Sequence, residues 1–174
     1  ASFRVRRTSG STISVTRLET GAAIVQSYAK ITDTKAAGTS GGTFTAGAWQ
    51  PRILNTIDSD SDSIVSLSAN RFTLQAGTYI FRGYAPAVLV NGNKLRIRNI
   101  TDSATQLVGI PAYSPSSGAL LTNHVVGKVI ITSAKVFEIQ HFAQTTRATD
   151  GFGQDAASGS EAAVYATIEI EKIG

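Results

Sequence analysis

The amino-acid sequence predicts an all-β protein folded as a sandwich or jelly roll. β-Branched residues dominate the 174-residue chain, which contains 20 Thr, 16 Ile and 12 Val but only 9 Leu. Stiff, branched side chains suit a pleated surface, so this composition favours strands over helices. The 18 Ser and 16 Gly supply residues for tight turns. No segment shows the 3.6-residue apolar period of a helix, and we expect about eight to ten short strands.

Strand patterns recur along the chain from residue 28 onward. In the segment 94–99, Leu95 and Ile97 alternate with basic residues, which indicates a strand with one buried face. The segment 164–170 alternates in the same way. The other candidates are short runs rich in β-branched or aromatic residues between Gly, Pro, Asn or Ser. The predicted strands are 28–32, 64–69, 71–74, 78–90, 94–99, 106–110, 125–132, 136–142 and 164–170.

Turn and loop residues separate these strands. Asn91 and Gly92 both tolerate positive φ, so they predict a two-residue type I′ hairpin that joins the strands 78–90 and 94–99. Polar loops are predicted at 36–42, 58–63, 114–123 and 145–160. The last two are long enough to carry contacts to a partner.

Positive charge is concentrated at the N-terminus. The formal net charge is +4, of which residues 1–25 carry +3 and residues 26–174 carry +1. The first segment, with Arg4, Arg6 and Arg7, is predicted to be an arm that attaches the protein to a larger assembly, and 26–174 is predicted to be the folded domain. A nearly neutral domain lacks the excess of positive charge that binds a phosphate backbone, so we expect no nucleic-acid partner.

Several other function classes are excluded by composition. The chain has no Cys, so disulfides, thiolate zinc sites and thiol chemistry are absent. No apolar run approaches the length of about 18 residues needed for a membrane span, and no signal-peptide pattern opens the chain, so membrane insertion is not expected. No cofactor-binding motif is present, and we expect no cofactor.

The residues available for catalysis form no coherent set. His141 lies within an alternating strand, in phase with Phe137 and Ile139, and is predicted to be structural or to lie at an interface. His124 is predicted to be a solvated loop residue. A Gly-x-Ser-x-Gly nucleophile elbow is absent. Asp58, Asp60 and Asp62 form the densest acidic cluster, but a polar loop is a poor frame for the two carboxylates of glycan hydrolysis. The sequence therefore predicts a protein that is not an enzyme.

The same acidic cluster begins like a calcium loop and then departs from it. Asp58, Asp60 and Asp62 stand at the first, third and fifth positions, but Ser63 replaces the required Gly and Ala69 replaces the bidentate Glu. We therefore predict no metal site, with these three carboxylates as the only weak candidates.

A basic stripe on one predicted strand has two interpretations. Lys94, Arg96 and Arg98 share one strand face. The favoured interpretation is a solvated face that Glu169 and Glu171 balance from a neighbouring strand. The alternative is a binding patch for a phosphate-bearing surface glycan.

Five separated motifs, in order, resemble one known module. They are GGTFTAGAWQ at 41–50 with RILNT at 52–56, VSLSANRFTLQAGTY at 65–79, FEIQH at 137–141, TTRATDGFG at 145–153 and YATIEI at 165–170. Together they resemble the C1q/TNF-like jelly-roll module of tailed-bacteriophage virion proteins, over roughly residues 26–174.

This resemblance implies a homotrimer in the virion, assembled in the cytoplasm of the bacterial host. The implied role is the knob of a tail fibre or tail needle that contacts a glycan or protein of the host surface, with the N-terminal arm binding other virion proteins. A trimer that decorates the capsid is the alternative, and a glycan-active tailspike domain is less favoured.

Candidate residues can be named for these contacts. Tyr79, Phe81 and Tyr84, on an otherwise apolar strand bounded by Gly, are expected to pack between subunits or in the core. In the 145–153 motif, Arg147 and Asp150 are expected to pair within a structural turn, with Phe152 tucked inward. The candidates for receptor contact are Ser116, Ser117, Leu120, Asn123, Arg147 and Gln154.

Overall fold

β-Strands are the only regular elements in the described part of the chain. The computed structural model describes residues 3–7, 13–17, 26–115, 117–118 and 120–173. β1 (Phe3–Arg7) and β2 (Ile13–Arg17) pair antiparallel with each other. The side chains of Arg4, Arg6 and Arg7 lie outside the described residues. Within the described ranges no helix is long and apolar enough to cross a membrane.

One layer of the domain is a five-stranded antiparallel sheet. Its strands are β3 (Gln26–Lys35), β5 (Thr56–Asp60), β8 (Gly77–Val88), β12 (Leu120–Ile131) and β14 (Ala163–Ile173). Their order is β12-β8-β14-β3-β5, so β12 and β5 form the edges. The two longest ladders join β12 to β8 and β14 to β3.

The other layer is a seven-stranded antiparallel sheet. Its strands are β4 (Gln50–Pro51), β6 (Val65–Ser68), β7 (Arg71–Leu74), β9 (Asn91–Asn99), β10 (Ala104–Val108), β11 (Ala112–Ser114) and β13 (Lys135–Ala143). The main path is β10-β9-β13-β7-β6, while β11 pairs with β9 and β4 pairs with β13. Each of the nine strands predicted from the sequence corresponds to a strand of one of the two sheets.

The predicted hairpin at Asn91 and Gly92 is wrong. β8 and β9 belong to different sheets, and the chain crosses from one to the other between them. Leu89 and Asn91 both have positive φ, at 54° and 58°, and Asn91 already begins β9. Gly92 has no positive φ and pairs with Tyr113 of the strand 112–114, so the type I′ turn is absent and the chain crosses the sandwich instead of returning beside itself.

Three phenylalanine rings join the two sheets at the centre of the core. Phe72 of β7 and Phe137 of β13 lie with their ring centroids 5.6 Å apart, and Phe81 of β8 approaches them edge-on at 5.8 and 5.5 Å. All three side chains are fully buried. Offset and edge-to-face contacts of this kind add to the burial of the rings themselves.

Tyr79 and Phe81 are therefore core residues, and their assignment to a subunit interface is wrong. Both are at most 1% exposed within a single chain, and the Tyr79 hydroxyl donates to the Gln75 carbonyl at 2.9 Å. Successive side chains of a strand alternate between faces, so Tyr84 lies on the opposite face of β8. Of the three candidates, Tyr84 alone reaches the outside of the sandwich.

Replacing Phe72 by Ala should lower the free energy of unfolding by about 3–5 kcal/mol, because it leaves a cavity between the two sheets. The adjacent Thr73 points outward from the same strand, and Thr73→Ala should change that free energy by about 1 kcal/mol or less. Denaturant unfolding of the two variants measures the difference. Equal losses of unfolding free energy in the two variants would contradict the burial of Phe72 between the sheets.

Candidate functional site

The outward face of the five-stranded sheet is the main candidate site, and we call it the open face. Its inward positions are filled by core residues such as Ile31, Phe81 and Ile168. Strand alternation directs the intervening side chains away from the core. The open face consists of Tyr28, Lys30, Ile80, Arg82, Tyr84, His124, Val126, Lys128, Ile130, Val164, Thr167, Glu169 and Glu171.

Large apolar side chains are exposed on the open face. Ile130 and Val126 of β12 are 65% and 52% exposed, Val164 of β14 is 52% exposed, and Tyr28 of β3 is 37% exposed. They occur together with half-buried Tyr84 on one side of one sheet. A cluster of exposed apolar residues on a folded domain marks a surface for interaction.

Two cations of the open face are paired with carboxylates of the same chain. Arg82 Nη2 lies 3.0 Å from Glu171 Oε2, and Lys30 Nζ lies 2.9 Å from Asp58 Oδ2. Glu169 is placed between Arg82 and Lys30 by the register of the three central strands. A face with internally compensated charge can be covered at a lower desolvation cost than one with free charges.

A groove of about 320 Å³ opens at one end of the open face. The groove is lined by Tyr84 and Pro86 of β8, Thr167 of β14 and Leu120 of β12. Gln154, from the loop before β14, also lines it. Leu120 and Gln154, which are far apart in sequence, are thus the two receptor-contact candidates that the fold brings together.

Asn123 is not available for receptor contact, and its assignment is wrong. Its side chain is 2% exposed, and its Nδ2 donates to Asn93 Oδ1. β12 begins at Leu120, so most of the predicted loop 114–123 is strand or short turn, and Asn123 occupies an inward position. Ser117 lies exposed in that turn, whereas Ser116 lies outside the described residues.

Arg147 belongs to a structural turn, as the favoured interpretation of its motif predicts. Its Nε and Nη2 donate to the two carboxylate oxygens of Asp150 at 2.6 and 3.0 Å. The Phe152 ring packs inward, 4.4 Å from the Phe44 ring. These contacts fold the 145–153 segment against the body, so the guanidinium of Arg147 is already engaged.

The segment that contains Asp58, Asp60 and Asp62 forms a turn that Asp60 stabilises. The Asp60 carboxylate accepts hydrogen bonds from the backbone amides of Ile64 and Val65 at 2.8 and 3.1 Å. Asp58 pairs with Lys30, and Asp62 is exposed. Among the residues described, no group of three or more potential metal-ligand side chains comes together.

The prediction that Glu169 and Glu171 balance the charge of the basic stripe is wrong. Glu169 and Glu171 lie on β14, in the other sheet from Lys94, Arg96 and Arg98. The carboxylate opposite Arg98 on the neighbouring strand is instead Glu138 of β13. The sequence pattern identified the face correctly but could not identify the adjacent strand.

His141 forms part of a buried polar cluster between the sheets. It is fully buried on β13, and its Nε2 accepts from Asn123 Nδ2 at 3.0 Å, which links β13 to β12. Burial and then the nearby charge of Arg52 hold the pKa of His141 well below 6.5. The imidazole is therefore neutral at pH 7 and structural. His124 is exposed, as predicted, but it lies on β12 opposite Tyr84.

Arg52 is the buried residue that the sequence analysis missed. Its guanidinium is buried, lies 4.2 Å above the Phe152 ring, and donates to the carbonyl oxygens of Pro86, Phe152 and Tyr165. The sequence could have indicated this burial, because Arg52 and Leu54 are two positions apart and would face the same way in an extended segment, and Leu54 is buried.

Solved structures share this architecture at low sequence identity. The crystal structure of murine APRIL at pH 5.0, a TNF-family protein, matches with a TM-score of 0.56 and 8% identity, covering 85% of this chain and 99% of that chain. The murine APRIL structure at pH 8.5 gives 0.53 at 6% identity, with the same coverage. The globular domain of zebrafish complement 1qA protein gives 0.49 at 16% identity, over 83% of this chain and 94% of that chain.

The fold is a jelly roll like that of murine APRIL. No protein-family model matches the chain, and no curated protein sequence matches it either. At identities of 6–8% the similarity to murine APRIL establishes the jelly roll and nothing of its role.

Acidification should destabilise the fold through His141. The unfolded imidazole takes up a proton near pH 6.5, whereas the folded one, with its lowered pKa, does not. This contribution to stability is therefore complete above about pH 6.5 and falls by about 1.4 kcal/mol per pH unit below it. Urea unfolding at about pH 7.5 and about pH 5.5 measures the loss.

The two histidines give a matched comparison. His141→Asn should flatten the dependence between these two pH values, and His124→Asn should leave it as in the unmodified protein, since that side chain is exposed. An unchanged dependence in the His141 variant would show that other groups cause the loss.

Proposed function

We propose that this chain is a non-enzymatic virion protein of a bacteriophage, in which three jelly rolls associate through the open face. The trimer forms the knob of a tail fibre or tail needle that contacts the host cell surface. The observation that carries this proposal is the exposed apolar cluster of the open face, with its paired charges. The phage assignment is supported by the five ordered sequence motifs.

A second apolar patch supplies the complementary surface. Val108, Ile110 and Tyr113 are 61%, 63% and 60% exposed and lie along β10, β11 and the segment between them. We call these three residues the edge patch. It lies beside β12, at the side of the sandwich where the two sheets part, and it differs from the open face in position and composition.

Two different patches on one chain favour a ring. When the edge patch of one copy packs on the open face of the next, the contact is head-to-tail, and such contacts close into a ring when the rotation allows it. The motif resemblance favours closure at three. Each copy then covers the apolar residues that its own core leaves exposed.

Mass measurement at dilute concentration should give a trimer for the unmodified chain. Val126→Lys should give monomers, because it places a second cation opposite Arg82 in the contact. Val126 is half exposed in the single chain, so the variant should still fold. Ser66→Lys, on an exposed position of the other sheet, is the control and should remain trimeric. A folded monomer of the unmodified chain would overturn the proposal.

Virion attachment is assigned to residues 1–25, which carry most of the net charge. Receptor contact is assigned to the loops that end near the groove, through Ser116, Ser117 and Gln154. Capsid decoration is the second candidate, and one observation favours it: the loop before β12 is short and Asn123 is buried, so less surface is available for a receptor than the sequence predicts.

Complementation of a deletion phage separates these roles. A chain of residues 26–174 should fold and trimerise but fail to enter particles. In the full chain, Ser116→Ala, Ser117→Ala and Gln154→Ala together should reduce adsorption to host cells by about tenfold, equivalent to about 1.4 kcal/mol. Ser66→Ala with Ser68→Ala is the control.

Each outcome selects one role. Normal entry of the shortened chain would assign attachment to the jelly roll itself. Unchanged adsorption of the triple variant would favour decoration over the receptor-binding knob.

A further inference from the structure

The outward face of the seven-stranded sheet carries an excess of positive charge. Arg71 of β7 and Lys94, Arg96 and Arg98 of β9 point away from the core, beside half-buried Trp49. We call these five residues the basic face. Glu138 of β13 is the one carboxylate that the register places among these four cations in the described part of the chain.

Arg96 is held in a fixed position by its neighbours. Its guanidinium stacks 4.1 Å from the Trp49 ring, Nε donates to Gln140 Oε1 at 2.7 Å, and Nη1 donates to Thr105 Oγ1 at 3.1 Å. Trp49 is itself braced by Phe142, at 5.8 Å between ring centroids. The remaining nitrogen, Nη2, makes no hydrogen bond within the described residues and is left to bind a ligand.

The single carboxylate of this face is already occupied. Glu138 Oε2 accepts from Arg71 Nε at 2.9 Å, and its Oε1 accepts from Gln140 Nε2. Arg98 stands opposite Glu138 in the register but makes no ion pair with it. Among the described residues Lys94 has no ion pair either. Two unpaired cations thus flank a pre-positioned guanidinium.

We propose that the basic face binds a cell-surface polysaccharide that carries phosphate groups. Lys94, Arg96 and Arg98 lie at alternate positions of β9, so they span about 13 Å along one line. Guanidinium groups bind phosphate through paired charge-assisted hydrogen bonds, and an ammonium group adds a point charge. The fixed Arg96 reduces the entropy lost on binding.

The arrangement fits a glycan better than a nucleic acid. Binding of single-stranded nucleic acid uses aromatic rings on which successive bases stack. Here one face of Trp49 is covered by Arg96, and Phe142 packs against the same ring. A sugar phosphate needs no such series of free ring faces. The whole basic face belongs to one chain, so this site does not depend on the proposed trimer.

Binding to phosphomannan, a phosphate-bearing polysaccharide, tests the site. The full-length protein should bind phosphomannan, should not bind mannan without phosphate, and should release the ligand as salt rises because exposed charges are screened. Lys94→Gln with Arg98→Gln should weaken binding by about tenfold or more, since each removes a charge-assisted contact. Arg98→Lys keeps the charge but loses the paired hydrogen bonds, so it should bind more weakly than the unmodified protein and more tightly than Arg98→Gln.

Matched controls separate this site from general charge effects. Arg4→Gln with Arg6→Gln removes the same charge from the N-terminal segment and should leave phosphomannan binding unchanged. Equal loss in both double variants would overturn the proposal, as would tighter binding of polygalacturonate or of oligo(dT) than of phosphomannan. The oligomeric mass of each variant is measured in parallel, so a failure of assembly is distinguished from a failure of glycan binding.

Discussion

A buried guanidinium holds one end of the sandwich together. Arg52 enters the interior just after β4 and satisfies backbone carbonyls of β8, β14 and the 144–162 loop. Burial lowers its pKa to about 9, while the carboxylate of Asp33 acts in the opposite direction, so the side chain stays charged at neutral pH. Without it three carbonyls would lose their donor in a dry environment, at a cost of about 1–3 kcal/mol for each one left unpaired.

The same contact shapes the open face. The Tyr165 carbonyl that Arg52 binds lies at a bulge in β14, between Val164 and Ala166. A bulge shifts the alternation of a strand by one residue, so Val164 faces outward while Tyr165 turns inward, where its hydroxyl donates to the Thr39 carbonyl at 2.8 Å. Val164 and Tyr165 then form one wall of the groove. The interior polar contact and the exposed surface are therefore parts of one arrangement.

Local sequence patterns predicted the positions of the strands well, but they could not predict which strands lie beside one another. Alternation at 94–99 correctly separated Leu95 and Ile97 from the basic side chains, because that separation depends only on neighbours in the chain. The partner of the basic stripe was assigned wrongly, since it depends on which strand lies beside β9. Alternation along β8 also predicts that Tyr79 and Tyr84 face opposite ways, because they are an odd number of positions apart. The contacts of Arg52 join segments up to 113 residues apart, which no local pattern contains.

The two outward faces of the sandwich differ in the free energy of desolvation that burying them in an interface would cost. On the open face Arg82 and Lys30 already have carboxylate partners, so a second copy would have to pair only Lys128 and Glu169 among the described charges. On the basic face Lys94 and Arg98 have no ion pair among the described residues, and burying them against an apolar surface would carry the full penalty of desolvation. The proposed ring also covers the edge patch, whose Val108 lies opposite Arg96 in the register, so the basic face would border the contact between copies. Three basic faces in the proposed trimer would raise the avidity for a repeating anionic polymer even where each single contact is weak.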